Sequence, residues 1–390
     1  MDKVVLAYSG GLDTSVCVKI LQEEYSFEVV TVSVDVGISA GELVEAEKKA
    51  RSLGAKHYTV DAKSEFIEGY VFKSIRANGL YEGYPLSTAL ARPLIAAKVV
   101  EIAKAEGATA LAHGATGKGN DQFRFESVFR TQAPEMKIIA PIRERNMTRD
   151  ESVAYAGKYN ISIGAKKPYS IDENLWGRSI EGGILEDPGS VAPEEIFQWT
   201  KQTKTGSENI EIRFENGVPI EINGETLESA SLVAKLNEIA GARGVGRIDI
   251  IEDRILGIKA RENYECPAAV VLLTAHRDLE RLVLTRAELE FKETVDSCWA
   301  DLVYKGLWNE PLRLGLDAFI DTTQHRVSGT VKVELKQGAA KILSRSSPYS
   351  MYSEKAASFD DTTLDQRDAE GVLKYHALQA GLFEKTKKGT

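Results

Sequence analysis

The sequence predicts an α/β fold whose first part is a doubly wound parallel sheet, followed by a second, α+β part and a C-terminal helix. Short β-branched runs alternate with helical patterns up to Asn160, an order typical of a parallel sheet with helices on both faces. Further along, Asn216-Gly217 lies within an alternating run, which is a strong hairpin signal. An amphipathic pattern near the C-terminus predicts the last helix.

Five apolar runs are expected to form the parallel sheet. They are residues 4–8, 28–34, 57–60, 109–112 and 137–140. Helices are expected over residues 16–21, 41–53, 90–105 and 148–159. Gly54 and Gly107 are placed to end two of these helices. Thr148 and Glu151 have the spacing of a capping box, which favours a helix start at that point.

The second part is expected to mix hairpins with helices. Hairpins are predicted over residues 210–222 and 327–343, turning at Asn216-Gly217 and Gln337-Gly338, and helices over 227–240, 268–291 and 363–385. Residues 166–189 are polar and rich in glycine, with little periodicity. The expected domains therefore span residues 1–165, 166–362 and 363–390.

Several prominent residues are predicted to be structural. His276 lies on the expected 268–291 helix, and we expect it at a solvated edge or an interface. The tryptophans are interpreted as packing anchors; they are Trp176, Trp199, Trp299 and Trp308.

Composition argues against several classes of protein. The net charge is −9 and no dense Lys/Arg run occurs, so nucleic acid is not expected as a partner. No apolar run approaches the ~20 residues needed to span a bilayer, and the N-terminus does not resemble a signal peptide. A cytoplasmic protein without a membrane partner is therefore expected. Cys17, Cys266 and Cys298 lie far apart, which disfavours a zinc knuckle or a dithiol centre.

The segment between the first strand and the first helix, residues 8–15, is predicted to bind phosphate and is called the phosphate loop below. A helix N-terminus at the carboxyl end of a parallel strand presents free N–H groups to an anion. Gly10 and Gly11 let the backbone approach phosphate oxygens closely. Asp13 would repel a bare phosphate, so we interpret it as helping to hold Mg²⁺. The alternative is a tight turn capped by Ser9 or Asp13.

The phosphate loop matches neither of two common nucleotide-binding motifs. It is not G-x-x-x-x-G-K-[ST], which disfavours γ-phosphate hydrolysis by a P-loop mechanism, and it is not G-x-G-x-x-G, which disfavours a dinucleotide. The loop resembles that of the N-type ATP pyrophosphatases, proteins with an adenine nucleotide alpha hydrolase-like fold. That resemblance implies cleavage of ATP between its α and β phosphates.

A second polar loop, residues 113–124, follows the fourth predicted strand and is called the second loop. It reads HGATGKGNDQFR, in which hydrogen-bonding side chains are interleaved with three glycines. Such a loop is suited to a small zwitterion, with Arg124 for a carboxylate and Asp121 for an ammonium group. A solvated surface loop is the alternative.

Six motifs together resemble the argininosuccinate synthase family. They are AYSGGLDTS at 7–15, LARP at 90–93, HGATGKGNDQ at 113–122, SIDENL at 170–175, GRID at 246–249 and YE at 264–265. The resemblance implies a ligase of arginine biosynthesis that uses ATP and Mg²⁺ to join L-citrulline to L-aspartate, with release of AMP and pyrophosphate. It also implies a homotetramer in which the helix from about residue 365 reaches a neighbouring subunit.

The resemblance also implies roles for individual residues. ATP is expected at Ala7, Tyr8, Ser9, Gly10, Gly11, Leu12, Asp13, Thr14, Ser15, Val34 and Gly114. Aspartate is expected at Thr116, Asn120 and Asp121, and citrulline at Tyr84, Thr88, Asn120, Arg124, Ser170, Ser179, Glu252 and Tyr264. Asp13, Asp121 and Arg124 are the expected catalytic residues. Arg124 is suited to the citrulline carboxylate and Glu252 to its ammonium group.

Two other classes of protein share part of this sequence pattern. Another ATP pyrophosphatase, such as a tRNA-thiolating or amide-forming enzyme, would call for reactive cysteines or a glutaminase domain, and neither is evident. A non-catalytic nucleotide sensor would retain the phosphate loop but would have no reason to retain Thr116, Asn120, Asp121 and Arg124 together.

Overall fold

The structure is a computed structural model that describes residues 2–162 and 168–387. Its strands are β1 (Lys3–Ala7), β2 (Glu28–Asp35), β3 (Lys56–Asp61), β4 (Leu80–Tyr81), β5 (Tyr84–Pro85), β6 (Ala110–Ala112), β7 (Lys137–Ile139), β8 (Ser170–Asn174), β9 (Gly177–Glu181), β10 (Glu208–Glu215), β11 (Val218–Ile222), β12 (Glu225–Thr226), β13 (Arg247–Asp253), β14 (Lys259–Glu265), β15 (Gly329–Lys336) and β16 (Ala339–Ser346).

The α-helices are α1 (Leu12–Glu23), α2 (Ala40–Ser52), α3 (Lys63–Phe66), α4 (Phe72–Arg76), α5 (Thr88–Glu106), α6 (Asp121–Gln132), α7 (Pro141–Glu144), α8 (Arg149–Lys158), α9 (Ser229–Gly241), α10 (Pro267–Val283), α11 (Arg286–Tyr304), α12 (Pro311–Gln324), α13 (Glu354–Ala357), α14 (Ala369–His376) and α15 (Leu378–Lys387). A π-helical turn (Ile67–Val71) joins α3 to α4. None of the described helices is long and apolar enough to cross a bilayer.

The first part forms the predicted parallel sheet, with strand order β3-β2-β1-β6-β7. The chain moves outward from β1 through β2 and β3, then returns to the other side of β1 with β6 and β7. The boundary between β1 and β6 is therefore the topological switch point, where ligands bind in open α/β sheets. The loops that leave these two strands emerge side by side at the same edge.

The two faces of this sheet pack into different hydrophobic clusters. Val4 and Leu6 face one side, where they pack with residues of α1 such as Ile20. Val5 faces the other side, in a cluster that continues into the second part of the chain and includes Leu272. The alternation of side chains along β1 explains this division, and the parallel sheet is thereby covered on both faces.

A five-stranded antiparallel sheet, ordered β12-β11-β10-β15-β16, lies in the second part. Its hairpins turn at the predicted positions. Asn216 and Gly217 have φ angles of +50° and +76°, and Gln337 and Gly338 have +49° and +81°. Two consecutive positive φ angles define the type I′ turn, so both hairpin predictions are confirmed.

A four-stranded antiparallel sheet, ordered β13-β14-β9-β8, was not among the predicted elements. Its β8–β9 hairpin occupies a stretch in which polar residues hide the strand pattern. Asn174 forms the turn, because its Oδ1 accepts hydrogen bonds from the N–H groups of Trp176 at 2.8 Å and Gly177 at 3.2 Å. Residues 163–167, which include the start of that stretch, lie outside the described residues.

The single helix predicted over 268–291 is wrong, because two helices occupy this stretch. Helix α10 ends at Val283, and α11 starts after a capping box in which the Thr285 hydroxyl accepts from the Glu288 N–H at 3.2 Å. The T-x-x-E spacing was present in the sequence but lay inside an apolar periodicity that continues through it. The predicted C-terminal helix is likewise divided, into α14 and α15.

The prediction for His276 is also wrong, because this side chain is fully buried. Its ring nitrogens lie 3.2 Å from Asn78 Oδ1 and 2.8 Å from Gln324 Oε1. Among the tryptophans, Trp176, Trp299 and Trp308 are buried as expected.

Contacts divide the described chain after Tyr349 into two units. The larger unit contains all three sheets that have more than two strands. The smaller unit carries α13, α14 and α15, and its apolar side chains, such as Val372, Leu373 and Phe383, are exposed.

A buried charge cluster joins α10 to α11 near His276. Lys292 Nζ lies 3.0 Å from Glu280 Oε1 and 2.8 Å from Asp296 Oδ1, and it donates to the Arg76 carbonyl at 2.7 Å. Burial raises the pKa of Asp296 to about 6, although Lys292 acts in the opposite direction. The ammonium group is the cation that allows both carboxylates to be buried.

We predict that Lys292→Met lowers the free energy of unfolding by about 3–5 kcal/mol, because it leaves two buried carboxylates without their cation. The loss should be larger at pH 8 than at pH 5, where protonation relieves the repulsion. Lys305→Met is the control, since its exposed pair with Asp301 is worth about 1 kcal/mol or less. Urea unfolding at both pH values measures the losses; similar losses for the two variants would contradict the prediction.

Candidate active site

The phosphate loop connects the end of β1 to the start of α1. Gly10 has φ +73°, and a Cβ there would lie 2.9 Å from Ala46 Cα, so only glycine fits. Gly11 precedes α1 without a side-chain cap. The N–H groups of the first helical turn are therefore available to an anion, in the way the sequence predicted.

The hydroxyl groups of the phosphate loop divide into two sets. The hydroxyls of Tyr8 and Ser15 are buried and lie 3.0 Å apart, so they brace the loop from inside. The hydroxyls of Ser9 and Thr14 are 3.2 Å apart on its exposed side. Lys49 on α2 donates to the Gly10 carbonyl at 2.7 Å, a cation beside the loop that no sequence motif indicated.

The second loop begins directly beside the phosphate loop, because β6 and β1 are neighbours. A Cβ on Gly114 would lie 2.9 Å from Thr14 Cγ2 and 3.3 Å from Thr14 N. Val34, also predicted to contact ATP, is buried near the carboxyl end of β2. The ATP-binding residues predicted from separate segments are thus brought to one edge of the sheet.

Asp121 and Arg124 lie in the first turn of α6 and are linked to each other. Asp121 Oδ2 accepts from Arg92 Nε at 2.8 Å, and its Oδ1 accepts from an Arg124 nitrogen at 3.3 Å. Burial alone would raise the pKa of Asp121, but the charges of Arg92 and Arg124 hold it below its usual value. Asp121 is therefore an ionised, oriented carboxylate.

Arg92 extends this network to the second part of the chain. It also donates to Asp172 Oδ2 at 2.6 Å, an oxygen that accepts from the Thr88 hydroxyl at 2.9 Å. Asp172 pairs with Ser179 across β8 and β9, and Ser179 pairs with Tyr264 on β14. Residues paired in this way project from the same face of an antiparallel sheet. Three of these five residues, Thr88, Ser179 and Tyr264, were predicted from the sequence; Arg92 and Asp172 were not given roles.

Glu252 is buried among phenol groups from three segments. The Tyr84 hydroxyl donates to its Oε2, the Tyr264 hydroxyl lies 3.2 Å from the same oxygen, and the Tyr304 hydroxyl lies 2.9 Å from its Oε1. Tyr84 and Tyr264 also stack, with ring centroids 4.3 Å apart. We call these four residues the tyrosine pocket. A carboxylate has about four acceptor positions, so this arrangement leaves room for one further donor.

Glu262, which the sequence gave no reason to select, adds a second carboxyl group beside the tyrosine pocket. Its Oε2 accepts from the Tyr264 hydroxyl at 2.6 Å, and Arg254 lies 3.4 Å from its Oε1. Burial and the nearby charge of Glu252 raise the pKa of Glu262 to about 7. The pocket can therefore gain a negative charge within the neutral pH range.

The remaining predicted residues lie around this centre. Asn120 precedes α6, and its amide oxygen accepts from the Ile255 N–H at 3.0 Å. Asp13 is half-buried in the first turn of α1, whereas Thr116 and Ser170 are exposed. Ser170 shares a sheet face with Asp172, two residues away on β8.

Two family models match most of the chain. Residues 3–162 match the arginosuccinate synthase N-terminal HUP domain, and residues 169–383 match the arginosuccinate synthase C-terminal domain. The chain belongs to the argininosuccinate synthase family. The predicted resemblance, the α/β fold class and membership of a ligase family are thereby confirmed.

Relatives of this family match over nearly their full length. An argininosuccinate synthase of Methanocaldococcus jannaschii is 61% identical over 388 residues, which cover 98% of each chain. One from Methanococcus maripaludis is 58% identical over 97% of each chain. One from Methanothermobacter thermautotrophicus is 56% identical over 99% of this chain and 97% of its own.

The raised pKa of Glu262 predicts a pH-dependent stability. An acid whose pKa is higher in the folded than in the unfolded protein stabilises the fold at low pH and loses that contribution as the pH rises through about 7. The amide side chain of the Glu262→Gln variant cannot ionise, so the variant lacks this pH-dependent contribution. Its stability relative to the unsubstituted protein should therefore increase by about 2–3 kcal/mol between pH 5 and pH 8.

Urea unfolding across this pH range measures the difference, with Glu215→Gln as the control because Glu215 is exposed. A Glu262→Gln curve parallel to that of the unsubstituted protein would contradict the assignment.

Proposed function

We propose that the protein catalyses the ATP-dependent condensation of L-citrulline with L-aspartate, releasing argininosuccinate, AMP and pyrophosphate, as a cytoplasmic enzyme of arginine biosynthesis. The observation that carries the proposal is the close packing of Gly114 against Thr14. A Cβ on Gly114 would lie only 2.9 Å from Thr14 Cγ2. This contact joins an anion-binding helix start to the loop that leads into Asn120, Asp121 and Arg124.

The chemistry accounts for the kind of site that is needed. A ureido carbon is a poor electrophile, because both nitrogens donate electrons into it. Attack by the ureido oxygen on the α-phosphate forms a citrullyl adenylate and breaks the bond to pyrophosphate. The aspartate amine then attacks the activated carbon and AMP leaves. These steps call for alignment and charge stabilisation rather than a nucleophilic side chain.

ATP is proposed to bind with its pyrophosphate end at the phosphate loop. The free N–H groups of the first turn of α1 suit the phosphate oxygens, and the exposed hydroxyls of Ser9 and Thr14 add donors. The HUP domain match is consistent with ATP use.

Mg²⁺ is proposed as the partner of the ATP phosphates. Among residues 2–162 and 168–387, no group of three or more His, Cys, Asp or Glu side chains is arranged to hold a metal ion. Mg²⁺ is commonly held by one or two carboxylates together with phosphate oxygens and water, and Asp13 at the phosphate loop fits that requirement. The ion would supply charge neutralisation at the phosphates.

Aspartate is proposed to bind at Thr116, Asn120 and Asp121. Because Arg92 and Arg124 hold Asp121 ionised, its carboxylate is suited to the ammonium form of an incoming amino acid. Thr116 and Asn120 supply neutral hydrogen-bonding groups on the same loop.

Citrulline is proposed to bind between Arg124 and the tyrosine pocket. Glu252 suits its ammonium group, since the phenol groups around the carboxylate hold it in place and leave an acceptor position. Arg124 suits the citrulline carboxylate. The hydroxyls of Ser170 and Ser179, with Thr88 beside Asp172, are the proposed polar contacts for the rest of the molecule.

Two of the three cysteines, Cys17 and Cys266, argue against a thiolating enzyme. Cys17 and Cys266 are both buried, and burial raises the pKa of Cys266 to about 12. A thiol in that environment is a poor nucleophile at neutral pH.

We also propose a homotetramer in which the exposed apolar side chains of α14 and α15 pack on a neighbouring subunit. Val372, Leu373, Tyr375 and Phe383 are the side chains that this contact would bury.

The reaction predicts a strict order of substrate dependence. Purified protein with ATP and Mg²⁺ should release pyrophosphate only when citrulline is added, because the ureido oxygen is the nucleophile. Argininosuccinate should appear only when aspartate is present as well. With ¹⁸O in the ureido group, the label should be found in AMP; label retained in the amino-acid product would reject the adenylate route.

Gly114→Ala is expected to raise the KM for ATP about 10-fold or more, because its Cβ would press on Thr14 and displace the phosphate loop. Gly117→Ala is the matched control on the same loop, where a Cβ would be at an ordinary 3.4 Å from Arg143 Cγ. Steady-state kinetics with ATP varied measures both. An unchanged KM in Gly114→Ala would remove the loop contact from the ATP site.

A further inference from the structure

Tyr304, the last residue of α11, contacts groups proposed to bind both amino-acid substrates. Its hydroxyl accepts from Asn120 Nδ2 at 2.9 Å and lies 2.9 Å from Glu252 Oε1. Its carbonyl accepts from Arg124 Nε at 3.2 Å. One residue that belongs to neither the phosphate loop nor the second loop thus joins the aspartate and citrulline groups.

The Tyr304 hydroxyl acts both as an acceptor and as a donor. A phenol carries one proton, and Asn120 occupies an acceptor position of the oxygen, so the proton points to Glu252 Oε1 or to the Asp253 carbonyl at 3.0 Å. Burial and the adjacent Glu252 carboxylate raise the pKa of Tyr304 well above its usual value. The hydroxyl therefore remains a donor at every physiological pH.

These bonds also determine the orientation of the Asn120 amide. Its Nδ2 donates to Tyr304 while its Oδ1 accepts from the Ile255 N–H at 3.0 Å. A reversed amide would place two acceptors together and two donors together. The second N–H of Nδ2 and one lone pair of Oδ1 are then directed by the protein and remain for a ligand.

The ring of Tyr304 provides a further contact, to the guanidinium group of Arg124. The Arg124 Cζ atom lies 5.2 Å from the ring centroid, within the range of a cation–π interaction. Gly306, with φ +77°, permits the close approach, because a Cβ there would lie 2.7 Å from Arg124 Cα. The Tyr304 ring also stacks on the ring of Tyr81, with 3.5 Å between centroids.

We infer that Tyr304 is a positioning residue that orients Asn120 for aspartate and Arg124 and Glu252 for citrulline, while it takes no part in ATP binding. This inference rests on the proposed function. The inference predicts different effects on the three substrates, which a general structural role would not. Among the contacts described, Tyr304 touches the groups proposed to bind aspartate and citrulline, and it touches no residue of the phosphate loop.

The test is Tyr304→Phe, which keeps the ring and removes the hydroxyl. Asn120 and Glu252 each lose a partner, so the KM values for aspartate and for citrulline should both rise about 5- to 50-fold. The KM for ATP should stay within about 2-fold, since the phosphate loop keeps its contacts. Each KM is measured with the other two substrates saturating.

Tyr81→Phe is the matched control. Its ring is the other member of the stacked pair, and its hydroxyl donates only to the Asp253 carbonyl at 2.8 Å among the bonds described. This variant should leave all three KM values near those of the unsubstituted protein. Tyr304→Leu, which also removes the ring, should raise the KM for citrulline further than Tyr304→Phe does.

Three results would overturn the inference, and they can be told apart. If Tyr304→Phe left all three KM values unchanged, the hydroxyl would have no positioning role. If it raised the KM for ATP as much as the other two, its effect would be general disruption. If the unsubstituted protein released no pyrophosphate with citrulline, the proposed function would fall and the inference with it, whatever the variants did.

Discussion

The buried carboxylate of Glu252 imposes the strongest constraint on this structure. A charge removed from water is strongly unfavourable unless polar groups surround it. Here the Tyr84 hydroxyl donates to the carboxylate, and the hydroxyls of Tyr264 and Tyr304 lie 3.2 Å and 2.9 Å from its oxygens. Tyr84 belongs to the first part of the chain, whereas Tyr264 and Tyr304 belong to the second. The charge is therefore satisfied only when these segments meet in one arrangement, which couples assembly of the site to folding of the larger unit.

The parallel sheet provides the other half of the site by a different physical route. Because β1 and β6 are neighbours on either side of the switch point, their loops emerge together. The same sheet is covered by a hydrophobic cluster that runs on into the second part of the chain, from Val5 to Leu272. Close packing of this cluster transmits the position of the sheet edge to the elements that carry Glu252.

Much of this could be predicted from the sequence, where local pattern and structure agree. The alternation of strands and helices predicted the parallel sheet, and Asn216-Gly217 predicted its hairpin. The β8–β9 hairpin was missed because residues such as Asp172 face a polar site instead of a core. The burial of His276 was missed because Asn78, one of its partners, lies 198 residues away. Tyr304 gave no signal, since its role depends on contacts that no local pattern contains.

Most charged side chains of the site are already paired with other groups of the protein. Arg92 holds both Asp121 and Asp172, and Arg124 is held by Asp121 and by the Tyr304 carbonyl. Groups fixed in this way need little reorganisation when charge moves during a reaction, which is the basis of electrostatic preorganisation. A reaction in which a weak ureido nucleophile must meet phosphorus in line benefits most from such rigidity. The proposed adenylation therefore depends more on how these side chains are held than on the reactivity of any one of them.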